Sequence, residues 1–199
     1  DSTVAGVRLN FADPLGLRSM KVTGSVTVND TVPDDERFHF MADCRGMPWT
    51  VQLRYNATDF YDLFGPTKTS RKGYSAEVGY ERYLIFEKPK TLQYSIDAAY
   101  WDGLDTLPDH QNVPTFVENY ATVGARLDYS NLRRTIGAVD AERGVEWSLR
   151  GRINYADDET LPRLYGILNL GTPLPIEHSS LWLRASAGKS FEGTQDDPF

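Results

Sequence analysis

The feature that most constrains this chain is strict alternation. In GVEWSLRGRINYADD (144–158), Val145, Trp147, Leu149, Gly151, Ile153 and Tyr155 are apolar or small, while Glu146, Ser148, Arg150, Arg152 and Asn154 lie between them. A period of two puts the first set on one face of a β-strand and the second on the other. The same pattern returns at 4–11, 22–28, 37–43, 49–56, 74–81, 92–100, 117–129, 162–171 and 180–190. No segment carries a 3.6-residue apolar stripe of helical length. Gly or Pro punctuates the joints ADPLG, RGMP, FEKPK and TPLPIEHSS, as turns require. The expected fold is all-β, antiparallel and up-and-down, with about ten strands in a single domain over 1–199.

Two-sided strands leave one question open, which face is wet. A soluble barrel of lipocalin type turns its apolar faces inward, around a small apolar ligand. A transmembrane barrel turns them outward to lipid and keeps its charges inside. Mean hydropathy of −0.46 does not separate the two, because only half of each membrane strand is apolar. Strand length favours the membrane. Several segments run about ten residues, as a tilted span needs, against five or six in ordinary globular strands. Aromatic residues also sit near the ends of the apolar faces: Trp49 and Tyr55, Tyr74 and Tyr80, Tyr94 and Tyr100, Trp147 and Tyr155. Girdles of Trp and Tyr at both interfaces are a membrane pattern. In a meander the connections near 30–36, 57–73 and 102–115 share one end and are long. Those near 12–16, 45–48 and 86–90 share the other and are short, although 130–142 and 156–160 break the rule.

Composition removes other classes. The chain has 199 residues, a net charge of −7 and a pI near 5.0. With no run of Lys or Arg, no nucleic-acid partner is expected. Cys44 is the single cysteine, which rules out an intrachain disulfide, a zinc ribbon or a CxxC redox pair. No stretch reaches the ~18 apolar residues of a membrane helix. DSTVAGVRLN lacks the basic-then-apolar order of a signal peptide, so an exported protein would be represented here by its mature chain or a piece of it.

Candidate sites are sparse. FGPTKTSRKG (64–73) offers Lys68, Arg71 and Lys72 to an anion, but without P-loop spacing or a following helix. The competing role is an ordered outer loop whose basic residues pair with carboxylates. In DFYD, Asp59 and Asp62 lack the further ligands of a calcium site. His39, His110 and His178 are scattered. Only His110 with Asp105, Asp109 or Ser70 shares an end of the meander, and no catalytic spacing supports it. Arg126, Arg150, Arg152 and Arg184 fall on polar faces and are candidates for a basic ladder along a lumen. Pairing with Glu118, Asp128 and Glu146 is the alternative. The expectation is a non-enzymatic protein with no cofactor, no metal and no catalytic residues.

The segment RYNATDFYDLFGPTKTSRKGYSAEVGYERYL (54–84) adds a resemblance. With GVRLNFADPLGLRSM (6–20), LDTLPDHQNVPTF (104–116), RRTIGAVDAERGVEW (133–147) and DDPF (196–199), it resembles the C-terminal barrel of bacterial TolB-like envelope proteins. These join an N-terminal β-propeller to a surface-antigen barrel related to the BamA superfamily. The resemblance covers most of the chain, and NATDFYDLFGPTKTSRKGY (56–74) is its most specific piece. It implies the outer membrane of a bacterial cell, with lipid and a propeller of the same chain as partners. It also implies a fragment of a longer chain, hence an incomplete barrel. The implied function is a membrane anchor serving envelope transport or outer-membrane assembly, with no family catalytic residues to carry over.

Overall fold

A computed structural model of the protein describes residues 4–28, 34–56, 72–104, 118–156, 158–176 and 179–191. Ten strands form one antiparallel sheet in chain order: β1 (Val4–Ala12), β2 (Arg18–Thr27), β3 (Phe38–Gly46), β4 (Trp49–Tyr55), β5 (Tyr74–Glu87), β6 (Lys90–Asp102), β7 (Tyr120–Arg133), β8 (Arg143–Ala156), β9 (Glu159–Pro173) and β10 (Ser180–Ser190). One 3-10 turn, Asp34–Glu36, is the only helical element among the described residues. The all-β, up-and-down expectation therefore stands. Closure does not. The sheet is open, because β1 pairs only with β2 and β10 only with β9. The outer edges of β1 and β10 carry backbone groups outside any ladder of the sheet.

Several strands outrun the alternation that announced them. β3 continues to Gly46, β7 to Arg133, and β9 spans Glu159–Pro173 rather than 162–171. The backbone ladder persists there after the side chains stop alternating. Met47–Pro48 and Lys88–Pro89 are each a two-residue link between adjacent strands. A bulge at Leu84 adds one residue to β5, so Tyr83 opposes Gln93 while Ile85 opposes Leu92.

Register merges the ten alternations into two continuous faces. Leu9 opposes Val22, and the ladder runs on through Ala42, Leu53, Ala76, Tyr100 and Ala121 to Tyr155 of β8. From the other edge, Ala185 opposes Leu168, which opposes Trp147 of β8. The middles of the two edge strands thus reach β8 eight residues apart. Eight residues at ~3.3 Å make ~26 Å of stagger across nine strand spacings of ~4.8 Å, an obliquity of ~30°.

Burial runs opposite to that of a soluble sheet. Ile153 on the apolar face is 47% exposed and Leu149 45%, while their polar-face neighbour Asn154 is 1% exposed. Among the described residues the buried hydrophobic side chains are Ala99, Leu104, Tyr120, Ala156 and Leu161. Leu104 lies beyond β6, and the other four stand on the polar face, with Trp101 packed against Tyr120 and Ala156. Strands contact only their sequence neighbours, so no second layer covers the apolar face among the described residues. A single sheet encloses its polar side chains in this way when it curls toward them.

Candidate functional site

On the apolar face the rings fall in two rows. Toward the short-turn end stand Trp49, Tyr80, Tyr94, Tyr129 and Trp147, with ring centroids 4.7 Å apart for Trp49–Tyr80, 5.8 Å for Tyr80–Tyr94 and 5.7 Å for Tyr129–Trp147. Toward the long-loop end stand Phe38, Tyr55, Tyr74, Tyr100 and Tyr155, with Phe38 and Tyr55 at 6.2 Å. Neither row follows the ladder throughout. Trp49 opposes Tyr80, but Tyr80 opposes Ile96, and Tyr94 lies two residues farther along. Tyr94 opposes Leu127, and Tyr129 again lies two residues farther, opposite Trp147. The second row shifts the same way between β5 and β6, from Tyr74 opposite Asp102 to Tyr100, and then follows the ladder through Ala121 to Tyr155. Both rows cross the strands obliquely in the direction of the sheet's stagger. Between them the face holds Val51 and Leu53, Ala76 and Val78, Ile96 and Ala98, and Leu149, Gly151 and Ile153, none of them charged.

The polar face gathers its chemistry on β6 to β9. One transverse row reads Gly79, Asp97, Gly124, Arg152, Arg163. The next reads Ser95, Arg126, Arg150, Tyr165. Arg126 therefore opposes Arg150, and Arg152 opposes Arg163, so four guanidiniums form a stepped line across β7, β8 and β9. Like charges directly opposite one another destabilise a sheet. Local groups hold them in place. Arg126 pairs with Asp128. Arg150 Nε donates to Ser148 Oγ at 3.3 Å, and its guanidinium lies 5.6 Å from the Tyr165 ring centroid. Arg152 Nε donates to Thr122 Oγ1 at 2.9 Å. Gly124 matters because it has no side chain. A Cβ there would stand 2.7 Å from both Asp97 carboxylate oxygens, so Asp97 lies over Gly124 on the side of Arg152.

The long-loop end is tied by a separate network. Asn56, at φ 50°, takes the left-handed conformation that Asn tolerates. Its Nδ2 donates to the carbonyls of Asp35 at 2.7 Å and Phe38 at 3.0 Å, and its Oδ1 accepts from Gly73 N at 3.2 Å. His39 Nδ1 sits 2.8 Å from the Asn56 carbonyl, which only accepts, so the proton of the neutral ring is on Nδ1. Nε2 then accepts from Thr27 Oγ1 at 2.7 Å. Lys72 Nζ donates to Asp35 Oδ2 at 2.5 Å, and that hydrogen bond holds the Asp35 carboxyl below the usual carboxylate range.

These positions sort the candidates read from sequence. Arg126, Arg150 and Arg152 come together, and Arg163 extends their line. Arg184 does not join the ladder. It opposes Asn169, which opposes Glu146, and Asn169 Nδ2 donates to Glu146 at 3.2 Å. Arg163 alternates onto the polar face in the sequence, but only the β8–β9 register shows that it opposes Arg152. Lys72 is engaged by Asp35. Lys68 and Arg71 lie outside the described residues, as do Asp59, Asp62, Ser70, Asp105, Asp109, His110 and His178. Among the described residues no three His, Cys, Asp or Glu side chains are placed to hold a metal ion. Comparison of the chain with protein-family models, curated proteins and solved structures finds no match in any of the three.

Proposed function

We propose that this chain forms part of the wall of a transmembrane β-barrel in a bacterial outer membrane, with its apolar face on lipid and its polar face toward the interior. The observation that carries this reading is the pair of oblique aromatic rows around an uncharged band. A membrane plane crosses tilted strands obliquely, and its interfaces select Trp and Tyr. Six residues separate the rows on β4, β5 and β6, and eight on β8. At ~3.3 Å per residue and a tilt of ~35–40° this spans ~15–21 Å, inside the ~25 Å apolar band of such barrels. The stagger of ~30° approaches the 35–45° tilt of barrel strands. The enclosed Asn154 beside the exposed Ile153 has the same sense.

In this role the protein is an anchor, not an enzyme. The resemblance to TolB-like envelope proteins supports a barrel that tethers a periplasmic propeller and serves transport or assembly in the envelope. The free edges of β1 and β10 then belong against further strands of the complete wall, since a lipid-exposed edge leaves backbone groups without partners.

Tryptophan placement provides the test. Trp49 and Trp147 stand on the apolar face, Trp101 and Trp182 on the polar face. Four variants, each keeping one tryptophan and Phe at the rest, are refolded into vesicles of lipid brominated along the acyl chains. Quenching of Trp49 and Trp147 with Trp101 and Trp182 spared is the expected result. Equal quenching on both faces, or a stable monomer that never needs detergent, overturns the proposal and favours the soluble, ligand-binding barrel.

A further inference from the structure

At and beyond the short-turn aromatic row, register puts cations on the apolar face. Arg18 opposes Gly46, and Arg82 opposes Tyr94. Lys90 opposes Asn131, which opposes Val145, and Arg133 opposes Arg143. All five cations are exposed, and none is in an ion pair among the described residues. Glu87, opposite Lys90, is the only acid that the described strands place there. The other end of the same face has the opposite sign. Asp102 accepts from the Tyr74 hydroxyl, and Tyr155 Oη donates to Asp158 Oδ1 at 2.8 Å, so carboxylates border the long-loop row.

Three of the cations stand together. Arg133 and Arg143 are opposed, ~5 Å apart at Cβ, and Lys90 is diagonal to Arg133 at ~7–8 Å. Opposed like charges destabilise a sheet, and an anion between them removes that cost. Depth identifies the anion. Lys90 lies four residues beyond Tyr94, and Arg143 four beyond Trp147. At ~3.3 Å per residue and a tilt of ~40° that is ~10 Å along the membrane normal. The rows span ~15–21 Å of a ~25 Å apolar band, so the edge of the band falls ~2–5 Å past each row. The trio therefore stands ~5–8 Å outside the band, within a headgroup layer ~5–8 Å thick.

We infer that Lys90, Arg133 and Arg143 bind the phosphate of an anionic phospholipid and seat the short-turn end in a leaflet that contains it. Guanidinium forks and an ammonium both address phosphate oxygens. The stacked rings of Tyr129 and Trp147, on the same face and nearer the middle of the band, offer a flat wall to the acyl chains. The inference rests on the barrel reading and adds to it the class of lipid and the end of the sheet that meets it.

The variant that keeps only Trp147 provides the test. It is refolded at low ionic strength into phosphatidylcholine vesicles carrying graded fractions of brominated phosphatidylglycerol or brominated phosphatidylcholine. Brominated phosphatidylglycerol should give the quenching of about three times as much brominated phosphatidylcholine, and added salt should shrink that preference. In the same background Lys90→Gln/Arg133→Gln/Arg143→Gln should abolish the preference with β-sheet circular dichroism unchanged, and Arg143→Gln alone should reduce it. Arg184→Gln, on the polar face, should keep it. Equal quenching by the two lipids, or a preference that survives the triple substitution, overturns the inference. Absence of quenching by either lipid overturns the barrel reading itself, so the two failures are distinguishable.

Discussion

Ile153 and Asn154 are neighbours on β8, yet the apolar residue is 47% exposed and the polar one 1%. Tyr155 and Ala156 beside them differ in the same sense, 42% against 6%. The apolar face shows a continuous aliphatic band between aromatic rows and leaves it uncovered. The polar face buries Thr122, Asn154, Tyr120 and Leu161 side by side, while its charged Asp97, Arg126 and Arg152 stay exposed. Water rewards the reverse arrangement. The difference is what the proposed lipid setting would require, with an apolar medium on one side of the sheet.

Charge placement tests that contrast most severely. Leu149→Arg puts a guanidinium in the middle of the uncharged band and should cost about 2–4 kcal/mol in lipid. Ser148→Arg puts it one residue away on the polar face, where Arg150 already stands, and should change stability far less. Urea titration of both variants refolded in vesicles measures the gap. If the two substitutions cost the same, the faces are not distinguished by lipid and the comparison fails.

Two glycines sharpen the polar side. Gly144 has φ +135°, and a Cβ there would meet the Asn131 carbonyl oxygen at 2.1 Å. Backbone cannot withdraw, so Gly144→Ala should cost about 1–3 kcal/mol. Gly124 has only the end of Asp97 above it. That side chain can turn away, so Gly124→Ala should cost less than about 1 kcal/mol while moving a carboxylate away from beside Arg152. The same urea titration ranks the pair, and a costlier Gly124→Ala would mean that Asp97 is held more firmly than its exposure implies.

The alternation made each strand's two faces legible, because a period of two needs no knowledge of neighbours. It did not reveal which rings align, since that depends on how each turn sets the next register. Trp49, Tyr80 and Tyr94 look unrelated in the sequence, and they meet only because the β4–β5 register sets Trp49 against Tyr80 and the Lys88–Pro89 joint with the Leu84 bulge sets β5 against β6. Arg184 and Arg163 exchanged roles for the same reason. Both alternate onto the polar face, but the joint after Ala156 delivers Arg163 to Arg152, while the β9–β10 register carries Arg184 to Asn169. The open edges were foreseeable only through the resemblance, because nothing in a strand's own residues says whether its outer edge has a partner.

The smallest effect lies outside both faces, at the rim where Lys72 meets Asp35. Asp35 has its carboxyl held down by the Lys72 hydrogen bond, so its folded value lies below the ~3.9 of a free Asp. A depressed carboxyl contributes stability above the unfolded value and loses it as pH falls through the folded one. The tie should therefore be complete at pH 7 and weaken once the pH falls below ~4. The pair is exposed, so the loss is local. Hydrogen-exchange protection at the Gly73 and Asn56 amides, which bracket the 57–72 connection, should drop below that pH. In Asp35→Asn, which has no carboxyl to protonate, the step should vanish. A step that persists in Asp35→Asn would assign the acid sensitivity of this rim to another group and leave the Lys72 contact incidental.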